Sequence, residues 1–204
     1  MNHWPAYPVI YEINTWVWLG ELSRRYGETI TLDAVPAGEW DALAGLGIDA
    51  LWLMGIWERS PAGIRITMQH EGIVADCKRA LPDFSPEDNV GSPYCVRSYT
   101  VDARLGGPEG LAEASRMLAK RNIRLILDFV PNHVAPDHAW VAEHPEYFIQ
   151  GDQEDFRKDP GSFILIENRV FAHGRDPHYP AWPDVVQLNA FHPEARQALS
   201  LIHI

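Results

Sequence analysis

Apolar positions in this chain gather into short runs, separated by polar stretches or stretches rich in glycine and proline. The densest run is Ile123 to Val130. Ile123, Leu125, Ile126, Leu127, Phe129 and Val130 are interrupted there only by Arg124 and Asp128. A run that is apolar on both faces reads as a strand covered on two sides, as in a parallel sheet flanked by helices. Asp128 lies near the carboxyl end of the run, and Pro131, Asn132 and His133 follow at once. In parallel α/β folds that end of the sheet is where sites are built. The pattern leaves two readings of Asp128 open: a functional carboxylate, or a structural one that holds loop amides.

The same pattern recurs earlier in the chain. Val9 to Asn14 alternates as a first strand, with Val9, Tyr11 and Ile13 on one face and Ile10, Glu12 and Asn14 on the other. Trp16, Trp18 and a polar loop carrying Arg24, Arg25 and Glu28 follow. Pro36 to Leu46 reads as a short helix through Trp40, Leu43, Ala44 and Leu46, ended by Gly45 and Gly47. Ile48 to Met54 is a second buried strand, which completes a strand–helix–strand unit. Gly107 to Asn122 is the clearest helix, with Pro108 at its first turn and Leu111, Ala114, Met117 and Leu118 as its apolar stripe. The three strands, near residues 9–14, 48–53 and 123–129, are predicted to lie parallel and adjacent in that order, joined by right-handed crossovers.

Between and beyond these elements the pattern is weaker. Gly55 to Ser98 sustains no period and reads as one long loop, of the kind that is commonly functional. His138 to Ile149 holds one short helix, and Ser162 to Ala172 reads as a hairpin turning at Glu167-Asn168. Pro193 to Ile202 opens another helix.

Composition narrows the class. At 204 residues with 46% hydrophobic content the chain is long enough for a globular core. A net charge of −11 argues against nucleic acid or an anionic membrane surface as partner. The two cysteines, Cys77 and Cys95, make no disulfide framework and read as free thiols. The opening MNHWPAYPV has neither a basic nor an apolar leader segment, and no run is long enough to span a bilayer, so a cytoplasmic location is expected. Eight tryptophans and seven tyrosines supply flat faces suited to sugar rings, although composition alone does not make a sugar binder.

The spacing Asp128-x-Val130-x-Asn132-His133 resembles the first conserved region of the α-amylase family (glycoside hydrolase family 13), where it ends the third strand of a (β/α)8, or TIM, barrel. Ser92 to Gly107 resembles the family segment whose tyrosine stacks on the sugar at the cleavage subsite, and Tyr94 matches that tyrosine. Ser92-Pro93 and Ser98-Tyr99 depart from its usual pattern. Trp182-Pro183-Asp184 and Gln187-Leu188-Asn189 resemble a further short segment, with Asp184 and Gln187 off its usual spacing. The resemblance implies a partial TIM barrel of the α/β class, its first three parallel strands with helices plus a small insertion after the third. Residues 1–133 would be the barrel part, 134–190 the insertion and 191–204 the start of the next helix. It implies action on an α-glucan, oligosaccharide or α-glucoside. Asp128 would brace the nucleophile's neighbourhood, His133 would donate to a sugar hydroxyl and Tyr94 would be the stacking platform. Asn132 would order the loop, in some family members through calcium. No cofactor is otherwise implied, and no oxygen-rich spacing of the EF-hand kind is present.

The family's nucleophilic aspartate and acid glutamate lie on its fourth and fifth strands, which have no counterpart here. Retaining glycosidases need two carboxyl groups ~5–5.5 Å apart. The chain is therefore expected to be inactive alone and poorly soluble, with sheet edges left unpaired. Two other readings stand beside this one. One is a non-catalytic carbohydrate-binding remnant or gene fragment. The other is a metal-dependent hydrolase built on Asp128, His133 and His138.

Overall fold

The computed structural model describes residues 4–203, with the side chain of His203 left aside. The first three residues of MNHWPAYPV lie outside it. In chain order the elements are β1 (Ile10–Asn14), α1 (Thr15–Tyr26), α2 (Ala37–Ala44), β2 (Ala50–Met54), β3 (Trp57–Arg59), α3 (Pro61–Gln69), α4 (Glu71–Ala80), β4 (Val96–Val101), α5 (Gly107–Ala119) and β5 (Arg124–Ile126). They continue with β6 (His133–Val134), α6 (Ala139–Glu143), β7 (Gln150–Gly151), α7 (Gln153–Lys158), β8 (Phe163–Ile166), β9 (Arg169–Gly174), β10 (Trp182–Gln187) and α8 (Pro193–His203). Two compact units result: Met1–Glu58 with Thr100–Asp128, and Arg59–Tyr99 with Phe129–Ile204. The chain leaves the first unit within β3 and re-enters it within β4.

The first unit is a parallel sheet with helices. Its strand order is β1-β2-β5. β1 pairs with β2 from Ile10↔Ala50 to Asn14↔Met54, and β2 pairs with β5 from Ala50↔Arg124 to Trp52↔Ile126, all parallel. This is the order and direction that the hydrophobic runs predict. One face of the sheet carries Ile13, Leu51 and Leu53, which join Leu19, Leu22, Trp40, Ala114 and Leu118 from the helices in one core. Residues two apart on a strand share a face, so the other face carries Glu12, Trp52 and Ile126 in one register row and Asn14 and Met54 in the next.

Two expectations fail in this unit. The polar loop after β1 is instead helix α1. Asn14 caps its start by accepting from the Val17 N–H at 3.4 Å, and Gly27 ends it in the left-handed region (φ 73°). β1 is an edge strand: of its five residues only Ile13 is buried, and in this sheet it has a single neighbour, β2. β5 is shorter than the run Ile123–Val130, and its three residues are half-buried. Beyond Ile126, side chains replace the strand ladder: Trp57 Nε1 donates to the Asp128 carbonyl at 2.9 Å.

The second unit holds an antiparallel sheet in the order β6-β10-β9-β7, with β8 also pairing β9. The β8–β9 hairpin turns at Glu167, whose φ is 53°, as the sequence predicts. Val134, Phe148, Phe171, Val186, Leu188 and Leu199 form the core of the unit. Residues 61–80, read as loop, form α3 and α4. Ser60 and Pro61 make a standard helix start, Ser60 Oγ accepting from the Gly63 N–H at 2.8 Å, but the glycines at 63 and 72 break the periodicity that would reveal the helices. β10 also escaped the sequence reading, because Pro183 has no N–H to give a ladder and the register slips between Trp182 and Val186. Among the described residues no helix is long and apolar enough to cross a membrane.

Candidate functional site

In the first unit the focus is Asp128. It lies two residues past β5, and extending the register from Trp52↔Ile126 sets it level with Met54. It is 7% exposed. Two donors meet its carboxylate: Trp52 Nε1 reaches Oδ1 at 3.0 Å and the Gly55 N–H reaches Oδ2 at 2.5 Å. Gly55 has φ 77°, a left-handed turn that directs its N–H back toward the sheet end. A buried carboxyl group is costly unless its oxygens have such partners. The loop-holding contacts of the structural reading are thus present.

In the second unit Asn132, His133 and Tyr94 come together. Val130 leads in, with Tyr99 Oη donating to its carbonyl at 3.1 Å and accepting from its N–H at 2.9 Å. His133 is 8% exposed, on β6 opposite Gln187 of β10. Its ring meets Trp182 edge-to-face, with centroids 5.3 Å apart. Burial lowers its pKa below the ordinary histidine range, and a hydrogen bond with the Tyr94 main chain opposes that shift. The same hydrogen bond ties His133 to Tyr94, whose side chain is exposed. The Tyr94 N–H is itself held by Ser92 Oγ at 3.2 Å. The arrangement ties the imidazole to the main chain of a residue whose aromatic side chain is exposed.

Asn132 has several hydrogen bonds. Its Nδ2 lies 3.0 Å from His133 Nδ1, 3.3 Å from the Arg175 carbonyl and 3.4 Å from Gln187 Oε1. Its carbonyl accepts from Leu188 N–H at 2.9 Å and from Gln187 Nε2 at 2.8 Å, and its Oδ1 accepts from the same Nε2 at 2.9 Å. Gln187 is the residue the sequence reading undervalued, as a departure from a spacing. Its strand partnership with His133 emerges only once β10 exists.

His138, offered for the metal-hydrolase reading, is spent locally. Its Nδ1 accepts from the Trp140 N–H at 3.1 Å as the cap of α6, and burial lowers its pKa to about 4. Among the described residues no group of three or more His, Cys, Asp or Glu side chains is placed to hold a metal ion. Asp184 is half-buried and its carboxyl is pushed up by desolvation, while its carbonyl accepts from Cys95 Sγ at 3.0 Å.

Residues 38–190 match the family described as alpha amylase, catalytic domain. Among curated relatives, a glucan 1,6-alpha-glucosidase of Streptococcus pneumoniae is 30% identical over 104 residues, covering 50% of this chain and 14% of its own. An alpha-1,4-glucan:maltose-1-phosphate maltosyltransferase of Cereibacter sphaeroides is 33% identical over 86 residues, covering 40% and 12%. The chain thus spans only a small part of the length of these relatives. Among solved structures, an alpha-amylase from Lactobacillus plantarum aligns over 96% of this chain and 35% of its own, with TM-score 0.59 and 18% identity. An alpha-glucosyl transfer enzyme aligns over 96% and 33%, with TM-score 0.63 and 16% identity. Identities this low speak to fold alone.

Proposed function

This chain belongs to the alpha-amylase catalytic-domain family, and from that premise we propose that it supplies the opening part of a (β/α)8 barrel and one wall of an α-glucoside site. β1, β2 and β5 are its first three barrel strands, and the antiparallel unit contains the insertion that follows the third. The observation that carries this reading is Asp128: a buried carboxylate just past the third parallel strand, held by Trp52 and Gly55. In that role Asp128 is a bracing anion beside the reacting centre. Tyr94 is the platform for a sugar face, and His133 donates to a sugar hydroxyl. The relatives named above act on α-glucans by their names, which supports an α-glucan or oligosaccharide ligand.

The carboxylate pair for hydrolysis or transfer comes from outside these residues. Glu12 shares the sheet face of Asp128's register column, but β2 stands between their strands. Two strand spacings and a two-residue offset along the strands set their backbones about 12 Å apart. That is a wide start for two carboxyl groups that must come within ~5–5.5 Å of each other. Asp128 is moreover already committed to two donors.

The test is an assay of this polypeptide with an aryl α-glucoside, alongside calorimetry with a maltooligosaccharide. Binding without turnover is expected, with binding weakened in Tyr94→Ala and in His133→Ala. Turnover that disappears in Asp128→Ala would overturn the assignment of the reacting pair. Absence of any saccharide binding would overturn the site.

A further inference from the structure

Gln187 stands opposite His133 in the β6–β10 pair. Its amide nitrogen faces three converging oxygens: the Asn132 carbonyl at 2.8 Å, Asn132 Oδ1 at 2.9 Å and the Leu188 carbonyl at 3.2 Å. Its amide oxygen faces donors, the Arg175 N–H at 3.1 Å and Asn132 Nδ2 at 3.4 Å. This fixes which way the amide lies, since the reverse orientation would set Oε1 against three oxygens. Asn132 is fixed by the same logic, with Oδ1 toward Gln187 Nε2 and Nδ2 toward the Arg175 carbonyl.

Carbonyl and side-chain oxygens converging on one point are what a hard cation such as Ca²⁺ collects, normally together with carboxylates. Here a neutral amide NH₂ occupies that point. Both Asn132 oxygens already accept from it, so the calcium role that the family resemblance suggests for Asn132 does not fit these residues.

We propose that Gln187 takes the place of a metal ion: its amide closes the oxygen cage, holds Asn132, and through Asn132 sets the tautomer of His133. Asn132 Nδ2 has only protons to give, so His133 Nδ1, 3.0 Å away, is the acceptor and the ring proton sits on Nε2. Gln187 is therefore a positioning residue. With Nδ1 accepting, Nε2–H is the ring's one donor and the group that meets the Tyr94 main chain, so the proposal stands apart from the reading of His133 as a sugar donor. Its test needs no sugar, so the two readings fail separately.

The full polypeptide is labelled with ¹⁵N-histidine, and the His133 signals are assigned with His133→Gln. Wild type is expected to show Nδ1 unprotonated and Nε2 protonated. Gln187→Leu is expected to show an averaged pair of nitrogen shifts. In Gln187→Glu a carboxylate oxygen replaces the NH₂ and faces the three oxygens. That variant is expected to melt lower than wild type in EDTA, and to regain ~3 °C or more in millimolar Ca²⁺. Wild-type Tm is expected to be the same in EDTA and Ca²⁺. The proposal is overturned by a wild-type Tm that rises with Ca²⁺, by a Gln187→Glu protein indifferent to Ca²⁺, or by an Nδ1-protonated His133. An unchanged tautomer in folded Gln187→Leu would also overturn it. If Gln187→Leu does not fold, the wild-type and Gln187→Glu measurements decide alone.

Discussion

Trp52 donates its indole N–H to Asp128 Oδ1 at 3.0 Å, across the parallel pair β2–β5. The bond joins a half-buried aromatic ring to a buried anion. Hydrogen bonds to charged groups contribute about 1.5–3 kcal/mol, and an acceptor left unpaired after losing its donor costs about as much. Trp52→Phe keeps most of the ring and removes the donor. It is expected to lower the free energy of unfolding by about 2 kcal/mol in urea titrations, and an unchanged midpoint would show that solvent reaches Oδ1.

Asp128→Ala is expected to cost more, on the order of 3 kcal/mol, since it strands two donors, Trp52 Nε1 and the Gly55 N–H. Asp128→Asn is expected to fall between wild type and alanine, because one amide end can accept only one of them well. Chemical denaturation of the three proteins side by side gives the ranking.

Much of this was legible in advance and some was not. The order β1-β2-β5 follows from three apolar runs linked by stretches long enough for crossovers, and Asp128 announces itself as a charge at the polar exit of the densest run. The length of β5 was not legible, since it ends where Trp57 and Tyr99 take over the backbone groups of Asp128 and Val130. Those partners are distant in sequence. Helix α1 could have been found from Asn14 at its cap, Gly27 beyond its end and Thr15, Leu19 and Leu22 at helical spacing. Arg24, Arg25 and Glu28 give the stretch the polar character of a loop instead. Gln187 had no local signal, because its meaning is a strand register set by residues 133 and 134.

Stability is expected to fall with acid through three buried histidines. His133, His138 and His173 all have pKa values lowered by burial. The unfolded chain takes up a proton near pH 6.5, while the folded protein resists until lower pH. The unfolded state thus binds more protons between those values, and stability drops as pH falls below about 6.5. For His138 the window runs down to about 4, which is worth on the order of 3 kcal/mol. Protonating its Nδ1 also removes the acceptor for the Trp140 N–H. Urea midpoints at pH 7 and pH 5 are expected to differ, and His138→Gln should flatten the difference.

Cys95 and Cys77 are both free, yet they should react differently. Cys95 is 2% exposed and its thiol is pushed up to about 12 by burial. Cys77 is half-buried on α4. A disulfide reagent at pH 8 is expected to modify one thiol in the native protein and two in guanidinium. Gly63→Ala would set a methyl 2.5 Å from Cys95 Sγ, so it should loosen this packing and speed the second modification.

Tyr94→Ala is expected to weaken maltooligosaccharide binding by on the order of 1 kcal/mol, roughly fivefold in Kd, with Tyr94→Phe close to wild type. Equal losses in both variants would mean that the hydroxyl rather than the ring face makes the contact.

The first unit is not written contiguously. β2 finds β1 close behind it, but its other neighbour, β5, arrives only after all of residues 59–99 have been made. At ~5–20 residues per second of synthesis, one edge of β2 waits on the order of seconds for its partner. The strand that waits is the most apolar of the three, with Ala50, Leu51 and Leu53 all fully buried at the end. Yield during expression should therefore depend on the speed of translation between residues 59 and 124. Slow codons there would lengthen the exposure of β2, and fast ones would shorten it.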